Sequence, residues 1–528
     1  MPITSATTRR AALPVLVAAA LSLTACSGGG ETSSSSGGGK ALVIDTSFNL
    51  KTVDPGRMYE QTGLLIDRAL YDTLLGFKGS DVSKPVPALA ESYELSKDGK
   101  KLTLKLRQDA VFSDGSPVTA DDVVFSLDRV RDLKGNPSFL LEGVTVEKTD
   151  DKTVTLVSAK PNPSLPFILP NPALGIVNSK VVKANGGAAS PADKAEKYLN
   201  GQSAGSGPYL LESFNAATQV VLKANPKYWG ATKPVYKRVV LRNVQSQTQK
   251  LNVQRGDSQI AVDMTADQAQ GIGGGTQVVK GASANVFFLL TNRDASVSKI
   301  TSNPRFAEAV SKGVDYAGLL ELAGEGSVQA AGIVPSMING SLPAAQAPKR
   351  DVAGAKAALA AGGITNPRIK LEFPSDFTLN GLSFQPLAER IQANLKEVGI
   401  TVDLAPAPIA TALENYRDGK EEMGLWWWSP DYPDAGNYLA FLPGGLIGER
   451  AGWKKGADKA LEDAGAKAAS TIGDDRFDQY HQIQAQLNAR GPIVPLIQPS
   501  QRLVTAGSLT GLEVNPVWTF EIAALGSK

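Results

Sequence analysis

The chain has 528 residues, 54 of them basic and 52 acidic, and a formal charge of +2 at pH 7. That balance argues against a nucleic-acid partner, which a basic excess or patch would mark. One cysteine excludes an internal disulfide, and one histidine beside it leaves few nitrogen or sulfur ligands for a metal.

The chain opens with Arg9 and Arg10, followed by an uncharged stretch from Ala11 to Ala25. A charged region before a short apolar one is the pattern of an export signal, and it is too short for a membrane-spanning helix. Arg9-Arg10 leaves open whether export is twin-arginine or Sec. Leu23-Thr24-Ala25-Cys26 resembles a bacterial lipobox. The resemblance implies that Cys26 carries lipid and becomes the mature N-terminus, the alternative being a cleaved signal with a spare thiol. Ser27 to Gly39 is nearly all Gly and Ser, the composition of a flexible tether. The expected body runs from about residue 40 to 528, long enough for more than one domain. Removing residues 1–25 takes away Arg9 and Arg10 and no acid, which leaves 52 basic against 52 acidic residues. No later stretch has a long apolar run, so no transmembrane segment is expected.

Leu102 to Arg107 alternates apolar and polar residues and reads as a half-buried strand. Asp98-Gly99 and Asp114-Gly115 are turn pairs. Thr119-Ala120-Asp121-Asp122 resembles a capping box ahead of a helix whose Val123, Leu127 and Val130 share a face. Residues 205–244 read as strands punctuated by Gly and Pro. The stretch 303–323 reads as one helix with proline near its start. Residues 368–373 read as a strand, 384–399 as a helix and 400–404 as a strand, which together suggest a βαβ unit on a parallel sheet. Residues 477–499 read as helix, turn and strand.

Three tryptophans, Trp426, Trp427 and Trp428, are followed closely by Asp431 and Asp434. If residues 423–428 form a strand, Met423, Leu425 and Trp427 point one way, and Gly424, Trp426 and Trp428 the other. One face would join the core and the other would meet a cleft, with Asp431 just past the strand end. A site that grips an organic cation wants both rings and carboxylates. The alternative is that the tryptophans are core and that Asp431 and Asp434 cap a helix. Asp434-Ala435-Gly436-Asn437 itself looks like a turn or helix start.

Taken together, residues 88–130, "GSGPYLL" from 205, "NPRFAEAVSKGVD" from 303, "ERIQANLKEVGI" from 389, the Trp-Asp segment and "GPIVPLIQP" from 491 resemble the ABC-transporter solute-binding proteins of the oligopeptide, dipeptide and nickel-binding family. The resemblance implies an α/β, two-lobe periplasmic-binding-protein-like fold with an extra subdomain in the first lobe. It implies lobe I at 40–285 plus 500–528, the extra subdomain at 76–204, lobe II at 286–499, and crossovers near 285–292 and 498–503. It implies a monomer, tethered by lipid at the extracytoplasmic face of the bacterial membrane, that hands a small solute to a permease with ATPase subunits. It also implies that Asp431 pairs with a peptide's α-ammonium, that Trp428 lines the cleft, and that Tyr59 and Gln61 line it from the opposite lobe.

Short peptides are the expected solute, with oligosaccharides or a metal chelate as alternatives on the same fold. No cofactor is expected. A hydrolase reading of Gly201-Gln202-Ser203-Ala204-Gly205 needs a strand before the serine and a catalytic histidine. The preceding residues look helical, and the single histidine, His481, reads as an ordinary helix residue.

Overall fold

The computed structural model describes residues 41–528, so the signal segment, Cys26 and the tether lie outside the described residues. Two main sheets organise the rest. The first has seven strands in the spatial order Thr276–Ala282, Ser500–Ala506, Ile260–Ala261, Leu42–Thr46, Arg238–Asn243, Gln219–Ala224 and Tyr209–Asn215. Its central strand, Leu42–Thr46, lies parallel to both neighbours. The second has six strands, ordered Val328–Gln329, Ile493–Gln498, Val286–Thr291, Met423–Trp428, Arg368–Pro374 and Thr401–Ala407.

The βαβ expectation matches this second sheet. Arg368–Pro374 pairs in parallel with Thr401–Ala407, and the helix Phe384–Glu397 crosses between them. Leu387, Ile391 and Leu395 of that helix are fully buried against the sheet, as their spacing requires. The stretch 303–323 is not one helix. It forms Pro304–Gly313 and Tyr316–Ala323, broken at Val314-Asp315. The Asp315 N–H bonds to Asn394 Oδ1 at 3.0 Å, so the chain trades a helical hydrogen bond for a tertiary one.

In chain order between Leu42–Thr46 and Tyr209–Asn215 of the first sheet, the chain forms a separate four-stranded antiparallel sheet, Ala90–Leu95, Lys101–Leu106, Thr153–Ser158 and Val144–Asp150, with its own core. The helix Ala120–Asp132 covers it. At that helix's start Asp122 Oδ2 accepts from the Thr119 N–H at 3.0 Å and hydroxyl at 2.7 Å. Inside, Arg129 is 1% exposed and donates four bonds of 2.7–2.9 Å to Asp54 and Asp193. This cluster fixes the loop that leads to Tyr59.

The chain passes between the two main sheets twice: through residues 283–285, and at Pro499. The two passages are bonded to each other. The Ser283 hydroxyl donates to the Pro499 carbonyl at 2.6 Å, and the Gln498 amide donates to the Ser283 carbonyl at 2.9 Å. Two short, mutually bonded connections at the ends of strands are the arrangement a hinge uses. Among the described residues, no helix is long and apolar enough to cross a membrane.

Candidate functional site

A cavity of about 510 Å³ lies between the lobes. That is within the range of about 300–1,000 Å³ typical of small-molecule sites. The first lobe contributes Tyr59, Glu60, Gln61, Asn171 and Asp263, and the second Phe377, Asn380, Trp427, Ser429 and Asp431.

Asp431 follows the strand Met423–Trp428, beyond Ser429 and Pro430. Its Oδ1 accepts from the Tyr59 hydroxyl at 2.9 Å, a bond that crosses from one lobe to the other. Its Oδ2 accepts from the Asn437 amide at 3.2 Å, and Asn437 Oδ1 in turn accepts from the Trp428 indole at 3.2 Å. The Asp431 carbonyl accepts from Asn171 Nδ2 at 3.2 Å, a second bond between lobes. Burial raises the Asp431 carboxyl above the usual aspartate range, and the bonds from Asn437 and Tyr59 offset this only in part. Burial also raises the Tyr59 phenol, helped by the neighbouring Asp431 charge, so it stays a donor. Among the described residues no cation pairs with Asp431. A half-buried carboxylate without one is costly once the cavity excludes water, and a ligand ammonium would answer it.

The three tryptophans divide differently from expectation. Trp426, on the strand face it shares with Trp428, does not meet the cleft. It is 1% exposed, stacked on Tyr416 at 4.3 Å, with its indole N–H on Glu421 Oε2 at 2.7 Å. Burial pushes Glu421 up to about 9, so at neutral pH the pair is largely uncharged. Trp428 packs edge-on against Phe441 at 5.6 Å and does not line the cavity, although its bond to Asn437 steadies the partner of Asp431. The ring in the cavity wall is Trp427, stacked on Phe377 at 4.7 Å and 17°. The physical reason is the strand's central place. It lies between Val286–Thr291 and Arg368–Pro374, and separate apolar cores cover its two faces. Neither face is free, so the cleft meets the strand only at its end.

Asp434 does not reach the cleft either. It is 2% exposed, accepts from the Gly436 N–H at 2.9 Å as the cap of a 3₁₀ helix, and accepts from Ser164 at 2.6 Å. Arg476 pairs with it in a buried ion pair. It is fully engaged and absent from the cavity wall. Gln61 does line the cavity, and its amide donates to Thr519 at 3.0 Å.

Several wall residues escape sequence reasoning. Phe377 to Gly381 belong to a short hairpin, Thr378–Leu379 against Leu382–Ser383, turning at Asn380-Gly381. Both turn residues have positive φ, 51° and 72°, as a two-residue Asn-Gly hairpin demands. That dipeptide is the signal that would have revealed it. Asp263 and Glu60 carry no local motif. Among the described residues no group of three or more His, Cys, Asp or Glu is placed to hold a metal.

The sequence profile of the bacterial extracellular solute-binding proteins, family 5 middle region, matches residues 84–446, over half of the chain. The chain is 28% identical over 491 residues to a probable D,D-dipeptide-binding periplasmic protein of Escherichia coli K12, covering 90% of this chain and 92% of that one. It is 25% identical over 505 residues to the dipeptide-binding protein of the same strain, covering 89% and 90%. The fold superimposes with a TM-score of 0.73 on the periplasmic binding protein DppA of Helicobacter pylori in complex with the peptide STSA, at 22% identity, covering 92% of this chain and 98% of that one. The cavity between two hinged lobes and this profile match have one meaning: the chain belongs to family 5 of the bacterial extracellular solute-binding proteins.

Proposed function

We propose that the protein captures short peptides outside the cytoplasm and hands them to an ABC permease, with Asp431 holding the peptide's amino group. The carrying observation is the Asp431 carboxylate, which lines the cavity between the lobes with no cation partner among the described residues and is braced by Tyr59 of the other lobe. Similarity to dipeptide-binding relatives supports the peptide class. Peptide binding performs no chemistry. The ligand stabilises the closed state only through its greater affinity for that state. On this reading the lobes are 40–285 plus 500–528 and 286–499, with 76–204 as the extra subdomain, and the protein is a monomer anchored by lipid on Cys26. Trp427 and Phe377 pack against the ligand beside Asp431.

Calorimetric titration of wild type and Asp431→Asn with a dipeptide and its N-acetyl form tests this. Loss of the charge is expected to weaken binding by about 2–5 kcal/mol, at least about thirtyfold, and acetylation to abolish it. Equal affinity in the two proteins would sink the assignment. An oligosaccharide site, which the Trp427–Phe377 stack would also suit, is expected to tolerate Asp431→Asn and fail on loss of Trp427.

A further inference from the structure

The cavity has a charge imbalance. Three carboxylates line it: Asp431 on the second lobe, Glu60 and Asp263 on the first. Among the described residues in its wall there is no lysine, arginine or histidine. Asp263 is held firmly. Its Oδ2 accepts from the Thr46 hydroxyl at 3.1 Å, the Ser47 N–H at 2.6 Å, the Ser47 hydroxyl at 3.0 Å and Gln249 at 2.9 Å. Its Oδ1 accepts nothing among the described residues, which leaves one oxygen for a ligand. Burial raises Glu60, and Lys51, exposed and outside the cavity wall, counters this in part. The three acids do not converge on one metal-sized point. They offer separate places to organic cations in a cavity whose wall also holds the stacked rings of Trp427 and Phe377.

A zwitterionic peptide brings one ammonium and one carboxylate. Asp431 answers the ammonium. The carboxylate would enter a closed space whose charges are all of its own sign, and desolvation strengthens that repulsion. A second ammonium or guanidinium reverses the sign of the effect.

We infer that the cargo is net cationic, its ammonium or guanidinium groups outnumbering its carboxylates, with Asp431 taking one and Asp263 a second. The class is then lysine- or arginine-bearing short peptides. This inference rests on the peptide reading above and narrows it.

The test is calorimetry on the purified protein with Ala-Ala, Ala-Ala amide, Ala-Lys amide and 1,5-diaminopentane. Ala-Ala amide is expected to bind at least about tenfold tighter than Ala-Ala, and Ala-Lys amide at least about tenfold tighter again. Asp263→Asn keeps the oxygen that Ser47 and Gln249 need, and is expected to bring the Ala-Lys to Ala-Ala amide ratio down towards one. Ala-Ala binding as tightly as its amide would overturn the inference and leave the peptide reading intact, as would a ratio unmoved by Asp263→Asn. If no peptide binds, the peptide reading falls and diaminopentane decides. Saturable binding weakened by Asp263→Asn would uphold the cation site, and no binding would overturn it.

Discussion

Replacing Tyr59 with Phe removes one hydroxyl and little else. The Tyr59 ring sits edge-on to Phe139 at 5.4 Å and 87°, a contact that Phe retains. What is lost is the 2.9 Å bond to Asp431 Oδ1, which spans the two lobes. A hydrogen bond to a charged group contributes about 1.5–3 kcal/mol. Both side chains are half-buried, so water replaces part of the loss and the lower end, about 1.5 kcal/mol, applies. Because the bond joins the two lobes across the cavity, its loss is expected to weaken the state that encloses the ligand. Ligand affinity is therefore expected to drop roughly tenfold. Calorimetric titration measures this, and a thermal melt within about a degree of wild type shows that the fold is untouched. Affinity within about twofold of wild type would refute the reasoning, because the bond would then contribute nothing to closure.

Acidification is expected to weaken peptide binding early. Burial raises the Asp431 carboxyl in the free protein, and an ammonium prefers its ionised form, so protonation competes with ligand as pH falls through that raised value. Titrations between pH 7 and 4 read this, with the onset above the usual aspartate range. Arg129→Met would leave Asp54 and Asp193 buried without their fork, and is expected to cost about 3–5 kcal/mol in urea unfolding. Asp67 is fully buried, and neither carboxyl oxygen has a partner among the described residues. Its folded-state pKa is raised well above normal by burial, with the Asp54 charge adding to it, so the folded state holds the proton and stability falls as pH rises from the unfolded value towards the folded one. Asp67→Asn is expected to remove that slope and to stabilise the protein near pH 7 by about 1–3 kcal/mol. Gly381→Ala would bring a Cβ within 2.5 Å of the Met264 carbonyl on the opposite lobe. Affinity is expected to fall by about tenfold or more, while strain at its φ of 72° lowers stability only by about 1–2 kcal/mol.

The amount legible in the sequence varied with the range of the interactions. Local signals carried the helix Phe384–Glu397 and the strand Met423–Trp428, because periodicity reports which residues share a face. Periodicity does not report what covers each face. It separated Trp427 from Trp426 and Trp428, yet a central strand has no open face, so Trp426 went into the core and Trp427 reached the cavity. The break at Val314 depends on Asn394, eighty residues away, which no local pattern anticipates. Asp434 illustrates the same limit. Its cap on Gly436 is local and readable, whereas its pair with Arg476 is not. The cavity's acids come from three distant segments, and only Asp431 stood beside a conspicuous aromatic run.

The most direct measurement is of the cargo itself. Purified protein would be denatured and whatever it releases identified by mass spectrometry, since a closed cavity can retain solute through purification. The expected release is short peptides with free amino ends, enriched in lysine or arginine. Neutral saccharides, or solutes with no amino group, would contradict the role assigned to Asp431.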